Sequence, residues 1–379
     1  MTSIEKPKGG LEDVVATSSA ICYLDGERGV LAYCGYDIHD LAQSATFEET
    51  CYLLWHRRLP TRSERGDLQS QFAAARALPE PIVRLMRSLP PVDGMDALRT
   101  ITSALAHYDA EVDDASPQAQ YRKAVRLTAQ TGTVVATWGR LRAGGGPIAP
   151  DPAMSHAANF LYMLTGERPN ATAIRAFDVA LILHADHELN ASTFAARVAA
   201  ATLTDIYSAV VAGIAALKGP LHGGANAEVM KMLLDFGRDA TPERIDAAIR
   251  AMFARKEKIP GFGHRVYRTE DPRATHLRQM SQELGRRAGN TAWFEMSQRI
   301  EALVKAEKKL NPNVDFYSAS TYYTLGIPID LYTPIFAVSR MSGWTAHVLE
   351  QYANNRLIRP RADYTGPEYP QRFVPLDQR

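Results

Sequence analysis

The sequence predicts a mostly α-helical fold in two domains with a small N-terminal β-hairpin, and three observations carry that reading. Strand composition is confined to residues 20–33. Beyond them, segments with polar starts, Ala/Leu/Arg-rich bodies and Pro or Gly stops follow one another almost to the C-terminus. The break at Lys218-Gly219-Pro220, before His222-Gly223-Gly224, supplies glycines that absorb large dihedral changes, so a smaller domain is expected to start there.

In chain order, Ala20–Leu24 and Val30–Tyr33 are short apolar and aromatic runs separated by Asp25-Gly26-Glu27-Arg28-Gly29, a loop whose glycines tolerate the positive φ of a hairpin. Thr46 opens a helix with Glu48 and Glu49 in its first turn and Tyr52, Leu53, Leu54 and Trp55 as its apolar body; Leu59-Pro60 ends it. Further stops stand at Pro79, Pro81, Pro90 and Pro91. Leu141–Pro152, with three consecutive glycines, reads as a surface linker between helices of one domain. Ile174, Phe177, Leu181 and Ile182 form one helical stripe. Ala195–Leu217 is so nearly apolar all round that a single buried central helix is expected. Arg359–Arg379, with four prolines, reads as an extended arm.

Forty-three Lys+Arg against 42 Asp+Glu leave a net charge of +1, which excludes the broad positive field of non-specific nucleic-acid binding. With 46% hydrophobic and 22% charged residues the chain has the composition of a globular protein rather than a disordered one. Cys22, Cys34 and Cys51 form no CxxC pair, which argues against a disulfide framework or a Cys-rich zinc site and for a reducing compartment. Met1–Val15 has no apolar run of signal-peptide type, and Ala209–Leu217 is too short to cross a membrane. A cytoplasmic protein is expected.

Several segments have chemical potential. His222 lies in Gly219-Pro220-Leu221-His222-Gly223-Gly224-Ala225-Asn226 and His264 in Pro260-Gly261-Phe262-Gly263-His264-Arg265, where glycines let a ligand approach backbone and imidazole; the alternative for each is a structural histidine. Asp315, in Asn313-Val314-Asp315-Phe316-Tyr317, is either a carboxylate made basic by apolar neighbours or the cap of the following helix. His184-Ala185-Asp186-His187-Glu188 offers a metal site or an anion-binding histidine, but no third and fourth ligand stands nearby. Gly144-Gly145-Gly146 lacks the Lys-Ser/Thr of a Walker A loop, and no GxGxxG follows a strand.

Three of these segments, the one around His222, the run Pro260–Arg268 with Asp271-Pro272-Arg273, and Asn313–Tyr317, resemble in order the active-site segments of the citrate synthase family. The resemblance extends to Gly10-Leu11-Glu12 and the hairpin, His187, Pro334-Ile335-Phe336 through Arg340, and Arg359-Pro360-Arg361. It covers nearly the whole chain and is similar to the short, dimeric kind.

That resemblance implies a large helical domain from residues 1–222 and 323–379 and a small one from 223–322, with the site in the cleft between them. It implies condensation of acetyl-CoA with oxaloacetate, or of propionyl-CoA in the 2-methylcitrate synthases, with no metal and no redox cofactor. Asp315 is then the base, His222 the donor to the thioester oxygen and His264 the donor to the ketone. His187, Arg273, Arg340 and Arg359 are the oxaloacetate-binding residues, Arg359 reaching across a homodimer into the partner's site. Arg268 and the loop Gly261, Phe262 and Gly263 match the coenzyme A site. Lys256 and Lys258 are further candidates for its phosphates, against a solvated basic run with Arg255.

Overall fold

The computed structural model describes residues 10, 11 and 14–379. The signal-peptide reading of Met1–Val15 and the match at Glu12 therefore lie largely outside the described residues. Strands β1 (Cys22–Asp25) and β2 (Val30–Tyr33) pair antiparallel with Cys22 opposite Tyr33 and Asp25 opposite Val30, forming the expected hairpin. A third strand, β3 (Tyr36–Asp37), adds to β2 and makes a three-stranded sheet. Its two residues are too few to show alternation in sequence.

The rest is helical. The first half holds α1 (Ile38–Ser44), α2 (Phe47–His56), α3 (Arg62–Ala75), α4 (Glu80–Ser88), α5 (Gly94–Leu105), α6 (Pro117–Arg142), α7 (His156–Thr165) and α8 (Ala171–His184). Thr46 caps α2 as expected: its hydroxyl accepts from Glu49 N at 3.2 Å while Glu49 Oε2 accepts from Thr46 N at 2.8 Å, a reciprocal capping box. The loop after α6 joins α6 to α7 at the surface, in line with the linker reading.

The segment expected as one central helix breaks in two, α9 (Ala191–Ala200) and α10 (Ile206–Leu217). Leu203 turns outward with φ 62° and is 68% exposed, and Asp205 starts the second helix by accepting from Ser208 N at 3.0 Å. An N-cap carboxylate supplies the orphan amide of a new first turn, and that gain outweighs the uniform apolar composition that pointed to continuity. Ser208 and Ala215 leave one face of α10 open to solvent.

After α10 come α11 (Ala225–Phe236), α12 (Pro242–Ala254), α13 (Pro272–Arg287), α14 (Ala292–Lys308), α15 (Val314–Thr324) and α16 (Tyr332–Ala353). The central element is α16, which packs against α2, α6, α8, α9 and α10 and buries Trp344, Met341 and Ile335 completely. In α8, every residue from Ala176 to His184 is buried, including Phe177, Leu181 and Ile182 of the predicted stripe. Helices α11, α13 and α14 gather around α15, while α13 and α15 also rest on α8. The N-terminal ends of α13 and α15 meet through Asp271, which accepts from Val314 N. Residues 354–379 run on as an exposed arm with little regular structure. Among the described residues no helix is long and apolar enough to cross a membrane.

Candidate active site

His222 sits in the turn after α10, where its own N–H bonds to Gly219 O at 2.9 Å. A side chain at Gly223 would stand 2.5 Å from Leu217 O, so this glycine is required for close approach. The imidazole Nε2 lies 3.3 Å from Ser192 N and 2.8 Å from Ser192 Oγ. A backbone N–H only donates, so Nε2 accepts and the ring's proton sits on Nδ1. Trp344 Nε1 donates to the same Ser192 hydroxyl, which tethers the pair to α16. Burial and the Arg340 charge hold the His222 pKa down at about 4, so the ring is neutral.

His264 is fixed by its own loop. Val266 N and Tyr267 N both donate to its Nδ1, at 3.0 and 3.2 Å, which places the proton on Nε2. Burial and Arg273 hold this ring neutral as well, with a pKa of about 4. Gly261 and Gly263, at φ 78° and 77°, fold the preceding residues back onto 311–313: Gly263 N donates to Asn311 O, Asn313 N to Gly261 O, and Asn313 Nδ2 to Gly263 O. Phe262 packs on Phe316 with ring centroids 4.6 Å apart. This stitch fixes the His264 loop against the start of α15.

Asp315 lies in that first turn, but it is not the cap. Asn313 caps α15 by accepting from Asp315 N at 3.0 Å, which leaves the Asp315 side chain free of the capping role. Desolvation pushes its pKa up to about 7, with Asp271 adding to the rise and Arg273 and Arg340 opposing it. The capping alternative is thereby answered by a neighbour two residues away.

The cationic residues divide. Arg340 is buried on α16, over the Phe336 ring, with Nε donating to His184 O at 2.8 Å. Its Nη1 and Nη2 are buried without any partner. Two unmet guanidinium donors cost ~1–3 kcal/mol each, a cost that an incoming carboxylate removes. Arg273, also buried, commits Nε and Nη2 to Asp271 at 2.9 and 2.8 Å, so only Nη1 is not engaged by that carboxylate. Asp271 further caps α13 through Arg273 N and accepts from Val314 N at 3.0 Å, tying α13 to α15. His187 shares a 3.1 Å hydrogen bond with Tyr267 Oη and lies 5.2 Å, centroid to centroid, from His264. Burial and the Arg273 charge depress its pKa too.

The structure does not bring Arg359 to this cluster: it lines a surface groove with Arg57, Arg197, Glu350 and Arg356. Arg268 is exposed, with its backbone N donating to Gly26 O. Lys256 and Lys258 stand on the exposed run where Arg255 pairs with Glu257. The His184–Glu188 segment scatters its side chains. His184 Nδ1 bonds Ala180 O, Asp186 faces His347 at 3.2 Å, and only His187 enters the site. Among the described residues no group of three or more His, Cys, Asp or Glu is arranged to hold a metal.

Sequence reasoning missed the roles of Ser192, Trp344, Tyr267 and Asp271. Asp271 alone carried a signal, since Asp followed by Pro is an N-cap and first-turn pair. The other three act through contacts that no spacing encodes.

A family model described as "Citrate synthase, C-terminal domain" matches residues 10–361. The chain is 56% identical over 372 residues to citrate synthase 2 of Bacillus subtilis (strain 168), covering 98% of each. It is 44% identical over 362 residues to citrate/2-methylcitrate synthase of the same organism, covering 95% of this chain and 96% of that one. The crystal structure of citrate synthase from Pyrobaculum aerophilum matches with a TM-score of 0.91 at 42% identity, over 98% of this chain and 95% of that one.

Proposed function

This chain belongs to the citrate synthase family, and we propose that it condenses acetyl-CoA with oxaloacetate and hydrolyses the thioester to give citrate and free coenzyme A. The observation that carries the reading is a basic carboxylate, Asp315, together with two neutral histidines whose hydrogen-bond partners leave the N–H of each to donate elsewhere. An acyl-CoA methyl group is a weak carbon acid, so its proton must leave to a base while a donor meets the charge developing on the thioester oxygen. Asp315 takes the proton, and His222 Nδ1–H is the donor. His264 Nε2–H polarises the ketone of oxaloacetate, and the new C–C bond forms between the methyl carbon and that ketone carbon. Water then cleaves the thioester, releasing the thiol.

Neutral donors suit this sequence, because an imidazolium beside Asp315 would lower its basicity. Arg340 takes one carboxylate of the keto acid, and Arg273 and His187 approach the other groups. Arg268 and the 261–263 loop serve coenzyme A, Lys256 and Lys258 at its phosphates. Residues 223–322 act as the small domain that closes on the cleft, and no metal or redox cofactor takes part. The chain works in the cytoplasm as a homodimer in which Arg359 completes the partner's site; the exposed position of Arg359 on an arm away from its own cluster supports this part.

A second reading, 2-methylcitrate synthase, is favoured by one similar protein carrying both names. One added methylene is worth only ~1–3 kcal/mol in an apolar pocket, so the same residues serve either thioester. Measuring kcat/KM for acetyl-CoA and propionyl-CoA separates them: an acetyl-CoA preference is expected, and a preference of more than about tenfold for propionyl-CoA overturns it.

A further inference from the structure

The hairpin loop 25–29 meets the loop that carries His264 backbone against backbone. Gly26 O accepts from Arg268 N at 2.9 Å. A Cβ at Gly26 would stand 2.2 Å from Val266 O and 2.8 Å from its carbonyl carbon. Gly26 is not among the residues with positive φ, so the turn itself does not demand glycine there; space does. Gly29, by contrast, has φ 67° and is needed by the turn. From inside the loop, Asp25 Oδ1 accepts from Glu27 N at 3.1 Å and Arg28 N at 2.9 Å and stiffens it.

The peptide that Gly26 covers is the one joining Val266 to Tyr267. Its carbonyl faces Gly26, and its N–H is one of the two donors to His264 Nδ1. A peptide unit is planar, so its two ends turn together, and a body packed on the carbonyl restricts the direction of the N–H. We propose that Gly26 is a positioning residue: by packing on the Val266–Tyr267 peptide and receiving the Arg268 N–H, it holds His264 with its Nε2–H aimed at the ketone. This rests on the role given to His264 above. Gly26 touches no reacting atom, and its contribution reaches the chemistry only through that loop.

The test is Gly26→Ala, beside Asp25→Ala, which loosens the loop without a clash, and Glu27→Ala, an exposed control whose side chain makes no contact used here. Citrate formation, exchange of acetyl protons with solvent, and amide exchange of residues 264–270 are measured on each. Gly26→Ala is expected to lower kcat by at least about tenfold, with acetyl-proton exchange falling less than about threefold, because enolisation uses Asp315 and His222 while condensation uses His264. Asp25→Ala is expected to shift kcat the same way by about two- to fivefold, and Glu27→Ala to leave it unchanged. A folded Gly26→Ala protein with kcat within twofold of wild type, or with both steps damaged equally, overturns the proposal. Should that variant not fold, Asp25→Ala and the wild-type Arg268 amide decide: slow exchange of that amide supports the contact, and exchange as fast as in an open loop overturns it. A wild-type enzyme that makes no citrate would instead overturn the proposed reaction, while the amide measurement still reads the contact.

Discussion

His222 and His264 carry the same chemical group, a neutral imidazole with one N–H, yet they are held by opposite means. His222, half-buried in a turn whose Leu221 is exposed, is fixed from a distance, by Ser192 on α9 and through it by Trp344 on α16, both fully buried. His264 is fixed by two amides of its own loop, which is partly exposed and depends on what packs against it. The difference teaches that a tautomer can be set either by the core or by a local turn. The core-held side tolerates little repacking, since a buried contact has no room to adjust. The loop-held side depends on what packs against it, so a change in that support reaches the imidazole directly.

The largest effect is expected at Asp315, the proposed base. Asp315→Asn keeps the shape and removes the base, so kcat should fall by roughly 10²–10⁴, measured as thiol release, with oxaloacetate binding nearly unchanged. In the wild-type enzyme kcat/KM should rise with pH through about 7 as Asp315 loses its proton, while both histidines stay neutral down to about pH 4. Because the Asp315 pKa is raised in the folded state, the native protein binds this proton more tightly than the unfolded chain does. Its contribution to stability is therefore complete below the ordinary carboxylate range and declines as pH rises toward about 7. Asp315→Asn should remove that decline from urea midpoints taken between pH 4 and 8; an unaltered slope would place the titrating group elsewhere.

Replacing each histidine by alanine then sharpens the contrast directly. His222→Ala should slow acetyl-proton exchange and citrate formation alike, by roughly 10²–10³, because it removes the donor for the first step. His264→Ala should slow citrate formation by a similar factor while proton exchange suffers less, and equal damage would contradict separate roles. Next in size, Arg340→Lys keeps the charge but loses the planar fork whose terminal nitrogens are unpartnered, so KM for oxaloacetate should rise by about 30- to 100-fold with KM for acetyl-CoA little changed.

Arg268→Ala concerns only the exposed face of the loop-held side. It should raise KM for acetyl-CoA by about three- to tenfold and weaken its salt dependence, as loss of uniform binding to a remote phosphate does. A rise in the oxaloacetate KM instead would turn Arg268 toward the keto acid. The smallest change tests the arm, which belongs to neither side. In a mixture of Asp315→Asn and Arg359→Leu subunits, random assortment makes half the dimers hybrid with one intact site of two, so activity should recover to about a quarter of wild type if the site is shared. No recovery after refolding together would leave Arg359 serving its own subunit.

Local grammar made much of this protein legible. Thr46 with Glu49 announces a capping box, the glycines of 25–29 announce a turn, and glycine-flanked His222 and His264 announce places where a ligand can come close, because each depends on residues within a few positions of one another. Where two local rules competed, only packing decided between them. Asp205 as a cap broke the apolar run 195–217, and Asn313 took the capping role that Asp315 was equally suited to, leaving a carboxylate that desolvation raises in pKa. The tautomer of His222, the unmet donors of Arg340 and the covering of the Val266–Tyr267 peptide by Gly26 were likewise decided by tertiary structure. Residues up to 240 positions apart meet in those contacts, and a hydrogen bond or a forbidden Cβ is a property of the meeting, not of either residue's neighbours in the chain.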